Sequence, residues 1–79
     1  MLKILILQSN PLIHLMGMMT ELDEEPSILI ENCMMITKEG AVEKYPLHTD
    51  QRDLFLTSDN VFTIIDPSPE IAEKYRALT

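Results

Sequence analysis

The sequence predicts a small, mostly β protein. About five short antiparallel strands form a small barrel or strongly bent sheet, and one short C-terminal α-helix follows them. Three observations carry this. Apolar, β-prone runs recur at roughly ten-residue spacing. Turn clusters punctuate them: Gln8-Ser9-Asn10-Pro11, Asp23-Glu24-Glu25-Pro26, Lys38-Glu39-Gly40 and Ser58-Asp59-Asn60. A strong helix start appears only near the end, at Ser68-Pro69-Glu70.

Leu2 to Leu7 (LKILIL) is rich in Ile and Leu and stops at a turn cluster, so its length favours strand. Leu12 to Leu22 (LIHLMGMMTEL) is apolar on both faces. Met and Leu tolerate either state, but Gly17 at its centre suits a bend in a strand. Pro26 keeps the following acidic turn from continuing as helix. In Ser27 to Thr37 (SILIENCMMIT), one face would hold Ile28, Ile30, Asn32, Met34 and Ile36. The other would hold Leu29, Glu31, Cys33 and Met35. Both are largely apolar, as in a strand buried on both sides or covered by a second subunit.

Val42 to Arg52 (VEKYPLHTDQR) is polar, and Pro46 confines it to an edge strand or a loop. Asp53 to Ile65 (DLFLTSDNVFTII) holds two β-prone pieces around Ser58-Asp59-Asn60, and Asp66-Pro67 stops the sheet. Ser68 then serves as N-cap, Pro69 as first helical residue and Glu70 as a first-turn acid. Ile71, Tyr75 and Leu78 share one face, and Glu70 and Lys74 make an outward i, i+4 pair. The expected sheet covers about 2–65 and the helix about 68–78, within one domain spanning 1–79.

A chain of 79 residues supports one domain. A domain of that size buries only ~60–65% of the surface its unfolded chain exposes, and oligomerisation is a common remedy. The 46% apolar content suffices for a core. Net charge is −7, and the only strong cations are Lys3, Lys38, Lys44, Arg52, Lys74 and Arg76. Such a balance disfavours phosphate backbones and anionic membrane surfaces. The single cysteine, Cys33, has no internal partner, which fits a reducing compartment. No apolar run reaches the roughly 18 residues of a membrane span. Residues 1–7 lack the cationic start and cleavage site of a signal peptide. A cytoplasmic protein without a membrane partner is expected.

Groups able to do chemistry are sparse. The acids at Glu21, Asp23, Glu24 and Glu25 lack the alternating ligands and loop glycine of a calcium loop, so a solvated turn is expected. His14, His48 and Cys33 have no metal-ligand spacing. Cys33, His48 and Asp50 could be drawn as a thiol-protease set, but a small core residue is the better reading of Cys33. Gly17 and Gly40 are the only glycines, so there is no phosphate loop. Met16, Met18, Met19, Met34 and Met35 read as filling of the core or of a subunit interface, with a partner-binding groove as the sharper alternative. Gly17 is expected to relieve crowding at the bend, and Asp23 to cap its turn. An enzyme is disfavoured, and neither cofactor nor metal is expected.

Two segments have a recognisable pattern. The first places Gly17, Met19 and Asp23 ahead of an aliphatic strand, Ile28-Leu29-Ile30, with the small Cys33 beyond it. The second runs Leu56, Asp59, Asn60, Val61 and Ile64. In order and separation these resemble the two motifs of the Sm and Sm-like family, which includes bacterial Hfq. They cover about 30 of 79 residues. Within the family the chain is most similar to a phage-type, cyanophage Sm-like protein.

The resemblance implies a small open barrel of five strongly bent antiparallel strands, assembled into a homo-oligomeric ring. A hexamer or heptamer is expected, with a pentamer as the smaller alternative. It places Phe55, Phe62 and Ile64 at the subunit interface, with single-stranded RNA at an inner rim near Ser27, Thr57 and Asn60. The chain departs from the family where RNA is held. Pro26-Ser27 stands in place of Met-Asn, and Thr57-Ser58 in place of Arg-Gly. The position of the base-sandwiching ring falls at Glu25, which repels phosphate. Ser27 and Thr57 can donate a hydrogen bond but can neither stack nor neutralise a phosphate. The family's helix usually precedes the sheet, whereas the expected helix here follows it. The alternative is a structural or adaptor oligomer that binds other proteins, keeping the fold without RNA binding.

Overall fold

The computed structural model describes residues 1–46 and 48–78. One antiparallel sheet of six strands carries a C-terminal helix. The strands are β1 (Leu2–Leu7), β2 (His14–Glu21), β3 (Ile28–Ile36), β4 (Val42–Lys44), β5 (Leu54–Leu56) and β6 (Val61–Ile65). The helix is α1 (Pro69–Leu78). The strand order is β4-β3-β2-β1-β6, and β5 pairs with β3.

β3 organises the sheet. Its whole length faces β2. On its other side β4 and β5 lie end to end, β4 against Met34–Ile36 and β5 against Ile28–Ile30. Between them the ladder slips. Met16 of β2 pairs with Met34, but Met18 pairs with Glu31, so Gly17 faces both Asn32 and Cys33. This is a bulge in β3, with Asn32 in the left-handed region at φ 53°. Its backbone is satisfied from elsewhere. The Asn32 N–H donates to Asp53 Oδ1 at 3.1 Å. The Cys33 N–H donates to the Arg52 carbonyl at 2.7 Å. The Tyr75 hydroxyl donates to the Asn32 carbonyl at 2.7 Å.

The bulge corrects the strict alternation expected of Ser27 to Thr37. An extra residue reverses which face the following side chains reach. Ile28 and Ile30 therefore share a core with Cys33, while Met34 and Ile36 turn to the opposite face. The first core holds Leu5, Leu7, Leu15, Ile28, Ile30 and Cys33 on one face of the sheet. The second holds Ile4, Met16, Met34 and Tyr75, where α1 covers the other face.

Six strands form rather than about five, because Val42–Lys44 pairs briefly with β3. A tight turn makes this hairpin: Thr37 N–H donates to the Ala41 carbonyl at 2.8 Å, and Gly40 takes φ 84°. β2 begins two residues later than Leu12, since Asn10 folds residues 10–13 into a turn. Asn10 Oδ1 accepts from the Leu12 N–H at 3.3 Å and its carbonyl from the Ile13 N–H at 3.0 Å. The helix starts as its sequence predicts. Ser68 Oγ accepts from the Ile71 N–H at 3.3 Å, and Pro69 is the first helical residue. The apolar face differs from expectation. Ala72 and Tyr75 are buried and Ile71 packs beside them, but Leu78 is 59% exposed. Lys74 reaches the Gly40 carbonyl at 3.2 Å, so its recorded partner is the β3–β4 turn and not Glu70.

Candidate functional site

The sheet does not close on itself. β6 is the outer strand on one side, β4 and β5 lie end to end on the other, and only a 3-10 turn at Ser58–Asn60 stands between β5 and β6 in sequence. Each presents an aromatic ring to solvent. In β5, Leu54 and Leu56 pack against the inner core while Phe55 between them is 58% exposed. In β6 a register shift does the same. Ile6 of β1 pairs with Thr63 and Leu7 pairs with Val61, which leaves Phe62 as the extra residue of a bulge. A bulge re-aims a side chain, and Phe62 is 67% exposed. Ile64 and Ile65 beside it are also exposed. The three residues expected at a subunit interface thus lie exposed on the two edge strands.

The residues expected near RNA have other duties. Glu25 joins the β2–β3 loop to the 3-10 turn. Its Oε1 accepts from Ser27 Oγ at 2.7 Å and from Ser58 Oγ at 2.6 Å, and its Oε2 accepts from the Ser58 N–H at 3.0 Å. These bonds, led by the Ser58 hydroxyl, hold the Glu25 carboxyl below its usual pKa. Asn60 is a hinge pin. Its Oδ1 accepts from the Ser9 N–H at 3.0 Å and its carbonyl accepts from the Gln8 N–H at 2.6 Å. Thr57 is exposed, and its carbonyl accepts from the Asn60 N–H at 3.1 Å. Ser27 and the 57–60 turn are therefore brought together, but by an acid.

Beside this latch runs an open groove of about 360 Å³, bordered by Ser27, Ile28, Ser58, Phe62 and Ile64. Glu21 also lines it, and Asp23, Glu24 and Asp59 are exposed nearby in sequence. The combination is apolar and anionic, which suits a protein surface better than a phosphate chain.

Asp23 is exposed in the loop, where it is the Glu25 carboxylate that accepts hydrogen bonds from Ser27 and Ser58. Gly17 is where the bend was expected. A Cβ there would lie 2.4 Å from Ile30 Cγ2 and 2.7 Å from the Glu31 carbonyl oxygen. Cys33 is fully buried, and burial pushes its thiol up to about 12. Among the described residues no group of His, Cys, Asp and Glu is arranged to hold a metal, and no helix is long and apolar enough to cross a membrane. The role of Glu25 was not readable from sequence. Its partner Ser58 lies 33 residues away, with no shared motif to link them.

The chain belongs to a family of unknown function, DUF6561, which matches it over residues 1–79. No curated protein matches it.

Proposed function

We propose that this protein is a non-catalytic subunit of a homo-oligomeric ring of the Sm-like type, acting in the cytoplasm as a scaffold for other macromolecules. One observation carries the reading: among the described residues the sheet has two open edges, β6 on one side and β4 with β5 on the other, and β5 and β6 each expose an apolar aromatic side chain. An open edge presents unpaired N–H and C=O groups that pair readily with another strand. Joining β5 of one chain to β6 of the next satisfies them and buries Phe55, Phe62 and Ile64. The two surfaces differ, so the contact is head-to-tail, and it closes into a ring where the rotation allows.

The resemblance of the Gly17–Cys33 and Leu56–Ile64 segments to the Sm motifs supports the same assembly, with six or seven subunits expected and five as the smaller alternative. Within that assembly the protein-adaptor reading is favoured over RNA binding at the Ser27, Thr57, Asn60 rim. Glu25 engages the Ser27 hydroxyl, and Asn60 Oδ1 is engaged by the β1–β2 turn.

A paired experiment tests this. Phe62→Glu should convert the assembly to monomers by light scattering while the far-ultraviolet circular dichroism stays β-rich. An assembly unchanged by this substitution counts against the edge contact. Short U-rich and A-rich RNA should show no saturable binding to the rim at low salt. Saturable binding that weakens with salt and is lost in Asn60→Ala would instead establish the RNA-binding reading.

A further inference from the structure

The charge of the chain is unevenly placed. Acids outnumber Lys and Arg by 13 to 6, yet one surface groove has more bases than acids along it. Between β4 and β5 an open groove of about 340 Å³ is bordered by Lys44, Pro46, His48, Thr49, Asp50 and Arg52. Three of those six side chains can carry positive charge, against one acid. Lys44 and Arg52 also border the adjoining groove beside Asn32 and Leu78, so both reach the ridge between the two hollows.

The groove is built, not incidental. The Arg52 guanidinium donates to the Tyr45 carbonyl at 3.1 Å and to the Thr49 carbonyl, folding the β4–β5 connection around itself. That uses two of its five N–H donors among the described residues. Gln51 braces the same turn, its N–H donating to Thr49 Oγ1 at 3.1 Å and its Nε2 to the Asp53 carbonyl at 2.7 Å. His48 sits at φ 68°, a backbone state that costs energy for any residue with a Cβ. By contrast, Lys3 is paired with Asp66 at 2.5 Å and Lys74 with the Gly40 carbonyl. The Lys44 side chain makes no ion pair or hydrogen bond among the described residues, and it lies at the end of a strand that fixes its backbone.

We infer that the groove between β4 and β5 binds a phosphate group, carried either by a small phosphomonoester or by a nucleic-acid backbone. A planar fork with spare donors, an ammonium and an imidazole all line this groove, with Asp50 as its one acid, and phosphate oxygens accept from each of those three groups. The groove is lined by none of the proposed interface residues Phe55, Phe62 and Ile64, although Arg52 stands only three positions before Phe55. It also separates any phosphate contact from the acidic Glu25 latch, where phosphate is disfavoured.

The test is a titration of the full chain followed by amide chemical shifts, with inorganic phosphate, phenyl phosphate and a short oligouridylate in separate arms. The expected result is saturable shifts centred on Lys44, Thr49 and Arg52, with about tenfold weaker binding in both Lys44→Gln and His48→Asn. Neither substitution removes a bond that shapes the loop, and unshifted β3 resonances confirm the fold. A response to phosphate and phenyl phosphate identifies a small phosphomonoester. A response to the oligouridylate alone at these same residues identifies a backbone phosphate. Absence of saturable shifts in all three arms at low salt overturns the inference. So does binding that both substitutions leave undiminished.

Discussion

Gly17 has no side chain because the strands on either side leave no room for one. A Cβ would meet Ile30 Cγ2 and the Glu31 carbonyl well inside contact distance, and the carbonyl belongs to a backbone held by its ladder. Gly17→Ala should therefore destabilise the fold by about 1–3 kcal/mol, read from the urea midpoint. The glycine was legible in the sequence as a bend. Its cause was not, since the bulge lies in the opposite strand, at Asn32 and Cys33. Nothing in the spacing of SILIENCMMIT announces that an asparagine will take a positive φ.

Glu25 shows the same limit. It reads as one of several acids in a turn, yet it alone accepts from Ser27 and Ser58. Its pKa lies below the ordinary 4.5 in the folded state, chiefly through the Ser58 hydroxyl. The folded chain therefore binds a proton there less readily than the unfolded chain. The stabilisation is present above the unfolded pKa and is lost as pH falls through the depressed folded one. The Ser58 amide resonance should titrate below pH 4.5 in the wild type. In Glu25→Gln that titration should vanish; its persistence would assign the shift to another group.

At the scale of elements, α1 and β3 depend on each other. The Tyr75 hydroxyl donates to the Asn32 carbonyl at the point where the ladder slips, so the helix fills a gap that the bulge opens. Tyr75→Phe should cost about 1 kcal/mol, and Tyr75→Ala about 3–5 kcal/mol because the ring is also buried against Met16 and Met34. Denaturant unfolding of both variants measures the difference, and a Tyr75→Phe variant as stable as the wild type would deny the hydroxyl its role. Ser68-Pro69 made the helix start legible, because capping is local chemistry. Its buried face was less so: a 3.6-residue pattern admits Ala72 or Leu78, and only docking selects Ala72. The short β4 was hard to read for a related reason. Its pairing comes from the Thr37–Ala41 turn rather than from its own polar residues.

Across the whole molecule, two features stand apart from the packing of the core. One is the pair of open edges bearing Phe55 and Phe62. The other is the acidic β2–β3 loop, which stands apart from a β4–β5 groove where Lys44, His48 and Arg52 line the surface beside Asp50. Although six strands form where the sequence predicts about five, a mostly β chain with a C-terminal helix could be read from apolar runs and turn clusters. Which strands would be left at the edges could not, because edges are set by non-local pairing, as with β6 returning to β1. Small chains with open apolar edges tend to assemble. Substituting Phe55 with Glu should weaken the proposed assembly as Phe62→Glu should, since the proposed ring sets the two aromatic rings on opposite halves of one contact.

The central claim is that β5 of one chain pairs with β6 of the next in a closed ring. The most direct measurement is the molar mass of the wild-type chain at micromolar concentration, by light scattering behind gel filtration. The account predicts one monodisperse species at an integral multiple of 9.1 kDa, with about five to seven subunits. A clean 9.1 kDa monomer at that concentration would contradict it.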